Sequence, residues 1–167
     1  MSNLENLFAG QNFDKEGDDF PNETGPMTDS KLTEARLCAQ QAIFQSMVSD
    51  EQTLQEVMDE FLLHRLKERK ADKKIFKLIV SDVKENLERY EEMLKGHITD
   101  TWDYERVGLV EKTLMIAAVS ELSCNPKAPT KVVLNEYLDI SKGFLAPDGT
   151  KFLNGVLHTL SGKIRDV

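Results

Sequence analysis

Apolar residues recur along this chain at the three- and four-residue spacing of amphipathic helices. A first helix is predicted from Asp29 or Ser30, either of which can cap its N-terminus. Its apolar positions are Leu32, Ala35, Ala39, Ile43 and Phe44. A second helix is predicted after Ser49, because Ser49 and Gln52 have the spacing of a capping box. This helix should end near the charged run that spans residues 64–74.

The same spacing predicts further helices in the second half of the chain. The third should run from about residue 72 to 94, with Gly96 at its C-terminal cap. Residues 107–122 are too apolar for a surface helix and predict a central one. Pro129 should start a helix that Gly143 ends, and a last helix should cover residues 150–165. The predicted fold class is therefore all-α, a compact bundle of about six or seven helices.

Charge is distributed unevenly along the 167 residues. The formal net charge is −8, of which residues 1–30 contribute −6 and the other 137 residues only −2. Residues 1–28 lack sustained periodicity and are predicted to form an acidic, mobile tail before a single domain over residues 29–167. A nearly neutral domain can still present a basic face, so the acidity of the whole chain does not exclude an RNA partner.

Several functional classes gain no support from the residues. No membrane span or secretion signal is present, which favours a cytoplasmic protein. Cys38 and Cys124 lie within apolar helical patterns and are expected to be buried thiols. No phosphate-binding glycine loop or hydrolase motif occurs, and the three histidines stand far apart. We therefore expect no metal site, and these residues give no support to catalysis.

Three segments in the C-terminal half carry a specific resemblance. They read VEKTLMIAAVSEL, PTKVVLNEYLDISKGF and KFLNGVL, and they fall in this order within residues 107–158. Together with ARLCAQQAIFQ in the first helix, they resemble the hallmark segments of the NusB family of transcription antitermination factors. The resemblance implies an all-α fold of two packed helical subdomains.

The resemblance also implies a function without a cofactor. NusB family members pair with the ribosomal protein NusE and hold a boxA-type RNA leader in the antitermination complex on RNA polymerase, which supports processive transcription of rRNA operons. The RNA-binding positions that match the family pattern, with one further nearby cation, Lys31, are Arg36, Phe44, Glu111, Asp148 and Phe152. The partners expected are thus boxA-type RNA and NusE, for a chain that is either a monomer or a homodimer.

Each of these positions also has an ordinary structural explanation. Phe44 and Phe152 lie on apolar stripes and can be core residues. Asp148 can cap the last helix, and Glu111 can face the positive end of its own helix dipole. The Asn-Gly pair at residues 154–155 can serve close helix packing.

The chain departs from the family pattern in two places. Family members often carry several arginines before the position of Arg36, where this chain has Leu32, Thr33 and Glu34. Leu145 stands where a glycine is common. Fewer cations should weaken the neutralisation of phosphate. The leading interpretation is an RNA-binding antitermination factor, and the alternative is a protein-interaction module of the same fold with weak or no RNA binding.

Overall fold

The computed structural model describes residues 30–98 and 104–165, and in these ranges it holds six helices and no strand. Helix α2 comprises an α-helical segment Leu54–Glu60, a π-helical turn Phe61–Arg65 and a last turn Leu66–Glu68. The other helices are α1 (Ser30–Val48), α3 (Lys73–Ile98), α4 (Leu109–Cys124), α5 (Thr130–Lys142) and α6 (Pro147–Arg165), with a 3₁₀ turn at Tyr104–Arg106. The all-α prediction is confirmed. The predicted tail, residues 1–28, lies outside the described residues.

The second helix begins later than predicted. Its N-cap is Thr53, whose hydroxyl accepts a hydrogen bond from the Glu56 backbone N–H at 3.2 Å. The Glu56 carboxylate in turn accepts from the Thr53 backbone N–H at 3.1 Å. The prediction of a box at Ser49 and Gln52 was wrong, because Ser49 Oγ accepts from Glu51 instead. A carboxylate at the third helical position also favours the Thr53 box, since a charged acceptor binds the cap N–H more strongly than an amide does.

A tight turn joins α2 to α3. The Ala71 N–H donates to the Leu66 carbonyl at 2.9 Å, and the Lys70 N–H donates to the Lys67 carbonyl at 3.2 Å. This pair of hydrogen bonds is the Schellman pattern, which requires a left-handed residue just after the helix. That residue is Lys70, with a φ of 53°. The turn is therefore closed by a lysine at a position that glycine usually occupies.

Two other boundaries differ from the prediction. Helix α3 continues through Gly96 to Ile98, so Gly96 is not its cap. Helix α6 begins at Pro147 and not at residue 150, because the fixed φ of proline suits the first helical position. Asp148 therefore lies in the first turn of α6 and is not its N-cap. Gly143 caps α5 as predicted.

The core lies around α1 and α4. Residues 113–122 of α4 are buried on every side, which confirms the predicted central helix. Residues 34–44 of α1 are equally buried, which was not predicted. Helices α1–α3 and α4–α6 form the two packed subdomains, and they meet chiefly where α3 and α1 pack against α4. The two central helices thus belong to different subdomains and join them.

Candidate nucleic-acid interface

Arg36 lies in the interior, where it joins α1 to α4 and α5. Its Nε and one terminal nitrogen donate to the two carboxylate oxygens of Glu121 at 2.8 and 2.7 Å. Its other terminal nitrogen donates to Glu136 Oε1 at 2.8 Å. The Arg36 side chain is only 2% exposed. A phosphate contact by Arg36, expected from the resemblance, does not fit this arrangement, because both edges of the guanidinium already face carboxylates.

Further polar groups complete this buried cluster. Tyr137 Oη and Asn125 Nδ2 both donate to Glu121, at 2.9 and 3.1 Å, and Thr33 Oγ1 donates to Glu136 at 2.8 Å. Every carboxylate oxygen of Glu121 thus accepts two hydrogen bonds. A buried ion pair persists when such bonds satisfy its remaining acceptors.

The environment changes the proton affinity of the cluster. Burial alone would lower the pKa of Arg36, but the hydrogen bond and charge of Glu121 raise it above its ordinary value. Burial raises the pKa of Glu136, against the opposing effect of hydrogen bonds from Thr33 and Arg36. Burial and the charge of Glu121 raise the pKa of Tyr137 well above its ordinary value. The tyrosine therefore remains a hydrogen-bond donor.

The two phenylalanines differ in accessibility. Phe44 is 7% exposed and belongs to the buried part of α1. A base cannot stack on a ring whose faces are covered, so burial supports the core interpretation of Phe44. Phe152 is half-buried and packs against the core from α6. Part of its surface remains available, and its role in base stacking stays a prediction.

The two acids both lie in the first turn of a helix, Glu111 as the third residue of α4 and Asp148 as the second residue of α6. Glu111 is half-buried in the first turn of α4, and Asp148 is exposed in the first turn of α6. The Glu111 carboxylate folds back over Gly108, so that a Cβ at Gly108 would lie 2.6 Å from Glu111 Oε1. Both carboxylates face the positive end of a helix dipole, as the structural alternative predicted for Glu111.

The directions of the helices determine which candidate RNA-binding residues lie near one another. Arg36 pairs with Glu121, and Gln40 Nε2 donates to Thr113 Oγ1 at 2.9 Å, so α1 and α4 run antiparallel. Phe44, one turn further along α1, therefore lies toward the N-terminal end of α4.

Helix α6 runs in the same direction as α4. Arg165, at the end of α6, donates to the carbonyls of Leu122 and Asn125 at the end of α4, and the two helices pack along each other. The first turns with Glu111 and Asp148 thus point toward one end of the bundle, and Lys31 lies at the other end of α1. The 13 residues from Lys31 to Phe44 span about 20 Å of helix.

Sequence reasoning missed the acceptors of Arg36. Glu121 is fully buried in the most apolar helix, and Glu136 is 6% exposed. The available signal was Glu121 itself, since a charged residue inside an apolar helix requires a partner.

The interpretation of Gly155 as a close-packing residue was wrong, because a Cβ there would meet nothing within 4 Å.

The described ranges show neither a metal site nor a membrane-spanning helix, and their two cysteines are free thiols. No group of three His, Cys, Asp or Glu side chains in residues 30–98 and 104–165 is placed to hold a metal ion. None of the helices there is both long and apolar enough to cross a bilayer. Cys38 is a buried free thiol, as predicted, and burial raises its pKa to about 12. Cys124 is free and half-buried.

Comparison with known proteins identifies the family. The model of the NusB family matches residues 33–161, more than half of the chain. The chain belongs to the NusB family. The transcription antitermination protein NusB of Gluconobacter oxydans (strain 621H) is 33% identical over 144 residues, covering 80% of this chain and 88% of that protein. That of Brucella abortus (strain S19) is 33% identical over 152 residues, covering 87% and 88%.

A solved structure supports the same fold. T. maritima NusB superposes with a TM-score of 0.66 and 21% identity, covering 82% of this chain and 94% of that one. At this identity the likeness concerns the fold alone. The all-α NusB-like fold is confirmed, and the contacts of individual residues of this NusB family member with RNA stay predictions.

Proposed function

We propose that this NusB family member is a transcription antitermination factor that binds boxA-type leader RNA together with ribosomal protein NusE. The complex would act in the cytoplasm on elongating RNA polymerase, without catalysis by this chain. The observation that carries the proposal is the family match over residues 33–161, which contains all the hallmark segments quoted above.

The proposed RNA surface combines three kinds of contact. Lys31, exposed at the start of α1, would neutralise phosphate. Phe152 would stack on an unpaired base through its accessible part. Glu111 and Asp148 would accept hydrogen bonds from base amino groups, as single-stranded RNA allows. Arg36 would act indirectly, by fixing α1 against α4 and α5.

A titration tests this proposal. Fluorescently labelled single-stranded RNA with a boxA-type sequence is titrated with the full chain, in the presence and absence of NusE, beside a scrambled RNA of equal length. We expect tighter binding of the boxA-type RNA, and a further gain when NusE is present. Equal binding of both RNAs with and without NusE would contradict the proposal.

A second candidate is a protein-interaction module with weak or no RNA binding. The engagement of Arg36 by Glu121 and Glu136 favours it, because α1 then presents fewer cations to phosphate. The same titration separates the two candidates. Binding of NusE without any RNA binding would support the module, and sedimentation of the same samples would distinguish a monomer from a homodimer.

A further inference from the structure

Lysines concentrate where α2 ends and α3 begins. Residues 64–77 contain seven Lys or Arg and only two acids, in a chain whose net charge is −8. We call five exposed lysines of this segment the basic corner: Lys67, Lys70, Lys73, Lys74 and Lys77. Within residues 30–98 and 104–165, none of their five ammonium groups forms an ion pair. The corner is therefore an exposed patch of positive charge.

Helix stability does not explain the three lysines of α3. Lys73 and Lys74 lie in its first turn, where the helix dipole disfavours cations, and the acid at this end is Asp72, whose carboxylate accepts from the Ile75 backbone N–H at 3.0 Å. Lys73 and Lys77 are also four residues apart, a spacing at which like charges repel. Lys67 is different, because it lies in the last turn of α2, where the dipole favours a cation. The three lysines of α3 thus exceed the single Asp72 carboxylate at this helix start, and the excess positive charge is not favoured by the helix dipole.

Lys70 adds a second unfavourable feature at the centre of the patch. Its φ of 53° lies in the left-handed region, which disfavours any residue with a Cβ. Glycine would close the same Schellman turn without this strain. Residues held in the left-handed region cluster at ligand-binding and other functional sites.

The basic corner adjoins the start of α1. The Asp72 backbone N–H donates to the Lys31 carbonyl oxygen at 3.0 Å, so the exposed Lys31 lies beside the corner. Arg69 of the same turn pairs with Glu34 at 2.9 Å and fixes the two segments together. Lys31 is a candidate phosphate contact of the proposed RNA surface, at the end of α1 away from Glu111 and Asp148, so the patch extends that surface from its Lys31 end.

We propose that the basic corner binds the phosphate backbone of single-stranded RNA. The inference rests on the proposed RNA-binding function and names the residues that supply its electrostatic part. Lysines without accessible aromatic neighbours contact phosphate as point charges and do not distinguish bases. The corner therefore replaces the phosphate contacts that α1 lacks, where Leu32, Thr33 and Glu34 precede an engaged Arg36. It would strengthen binding of any single-stranded sequence.

A matched pair of variants tests the inference. The corner variant is Lys70→Gln/Lys74→Gln/Lys77→Gln, which keeps Lys67 and a side chain at the strained position. The control variant is Arg89→Gln/Lys95→Gln/Lys163→Gln, which removes the same number of exposed cations at least 12 residues further along the chain. The full chain and both variants are titrated with the boxA-type and scrambled RNAs over a series of salt concentrations. Circular dichroism and thermal unfolding check that all three proteins are folded.

The salt dependence of RNA affinity is the decisive measurement. Each lost phosphate contact lowers the slope of log affinity against log salt by about 0.7 for single strands. The corner variant should lose about 2 units of slope for both RNAs, and the advantage of the wild type over it should shrink about 20-fold between 50 and 200 mM salt. The control variant should keep the wild-type slope. Sequence preference, the ratio of the two affinities, should be the same in all three proteins.

The outcomes separate this inference from the proposed function. Equal slopes for the corner and control variants, with RNA binding intact in the wild type, would overturn the inference alone. Weaker binding of NusE by the corner variant, with unchanged RNA binding, would overturn it in favour of an acidic protein surface. Wild-type binding to neither RNA would overturn the proposed function and this inference together.

Discussion

Arg36 and Glu121 form a two-pronged ion pair across 85 residues of sequence, with N–O distances of 2.8 and 2.7 Å in the interior of the bundle. The pair joins the two central helices, and Glu136 adds α5 to the same guanidinium. Breaking a buried pair by removing one partner leaves an uncompensated charge, which is costly. The stability of the fold should therefore depend on these three residues.

The two carboxylates should contribute unequally. Glu121→Gln should lower the free energy of unfolding by about 3 kcal/mol or more, because Glu121 binds two nitrogens of Arg36 and also accepts from Tyr137 and Asn125. Glu136→Gln should cost less, since Glu136 binds only one nitrogen of the guanidinium and the amide oxygen of Gln can still accept that hydrogen bond. Urea unfolding followed by circular dichroism measures both changes. As a control, Lys142→Gln breaks an exposed pair with Asp139 and should cost less than about 0.5 kcal/mol. Equal losses for the two glutamates would contradict the unequal geometry.

Acidification should increase the stability of the folded protein through protonation of Glu136. Burial raises its pKa above the unfolded value of 4.5, so the folded protein takes up this proton at a higher pH than the unfolded chain does. The stabilisation from this proton is complete below pH 4.5 and is lost as the pH rises through the folded pKa. The stability of the wild type relative to Glu136→Gln should thus increase as the pH falls from 7 toward 4. Unfolding of both proteins at several pH values measures the difference, and a decrease on acidification would mean that Arg36 dominates the pKa of this carboxyl.

The Gln40 side chain is a buried amide with one unsatisfied atom. Its Nε2 donates to Thr113 Oγ1 at 2.9 Å, but its Oε1 meets no donor among the residues that the structure describes. Gln40→Met keeps the chain length and removes the unsatisfied oxygen, while Thr113 keeps its bond to the Leu109 carbonyl. We expect unchanged stability, or a gain of up to about 1 kcal/mol, in thermal unfolding. Gln40→Ala is the control and should destabilise through the space it leaves. A loss of more than about 2 kcal/mol for Gln40→Met would show that the amide is fully satisfied.

Helical periodicity predicted most of the fold, because the burial of apolar stripes determines where the helices form and which faces they pack together. The number of helices, the central position of residues 113–122 and the Gly143 cap all followed from local spacing. The burial of α1 did not, since Arg36 and Gln40 read as surface residues until their partners on α4 are known. For the same reason the candidate site was predicted in part only. The family resemblance placed Arg36 on the RNA surface, whereas carboxylates 85 and 100 residues away in sequence bind its guanidinium.

Lys70→Gly should raise the stability of the protein and weaken its binding to RNA. Glycine adopts the left-handed φ of this turn without strain, so the variant should be more stable than the wild type by about 0.5–1 kcal/mol. Its affinity for single-stranded RNA should nevertheless fall, with a salt slope lower by about 0.7, because one cation of the basic corner is gone. Lys70→Gln is the matched control, which loses the charge and keeps the strain. It should bind RNA as weakly as the glycine variant without the gain in stability. A glycine variant that binds RNA as the wild type does would remove Lys70 from the RNA surface.

Phe152 and Phe44 should respond differently to truncation, because one ring is half-buried and the other is 7% exposed. Phe44→Ala should lower stability by about 3–5 kcal/mol, the cost of a cavity in a packed core. Phe152→Ala should cost clearly less in stability, since part of its ring already faces solvent.

If Phe152 stacks on a base, the same change should weaken RNA binding by about 1–3 kcal/mol. Phe152→Tyr serves as the control, because it keeps an aromatic face and should retain most of the affinity. Urea unfolding and RNA titration of the three variants give both quantities. Full RNA affinity in Phe152→Ala, or a stability loss as large as that of Phe44→Ala, would assign Phe152 to the core and leave the RNA surface to other residues.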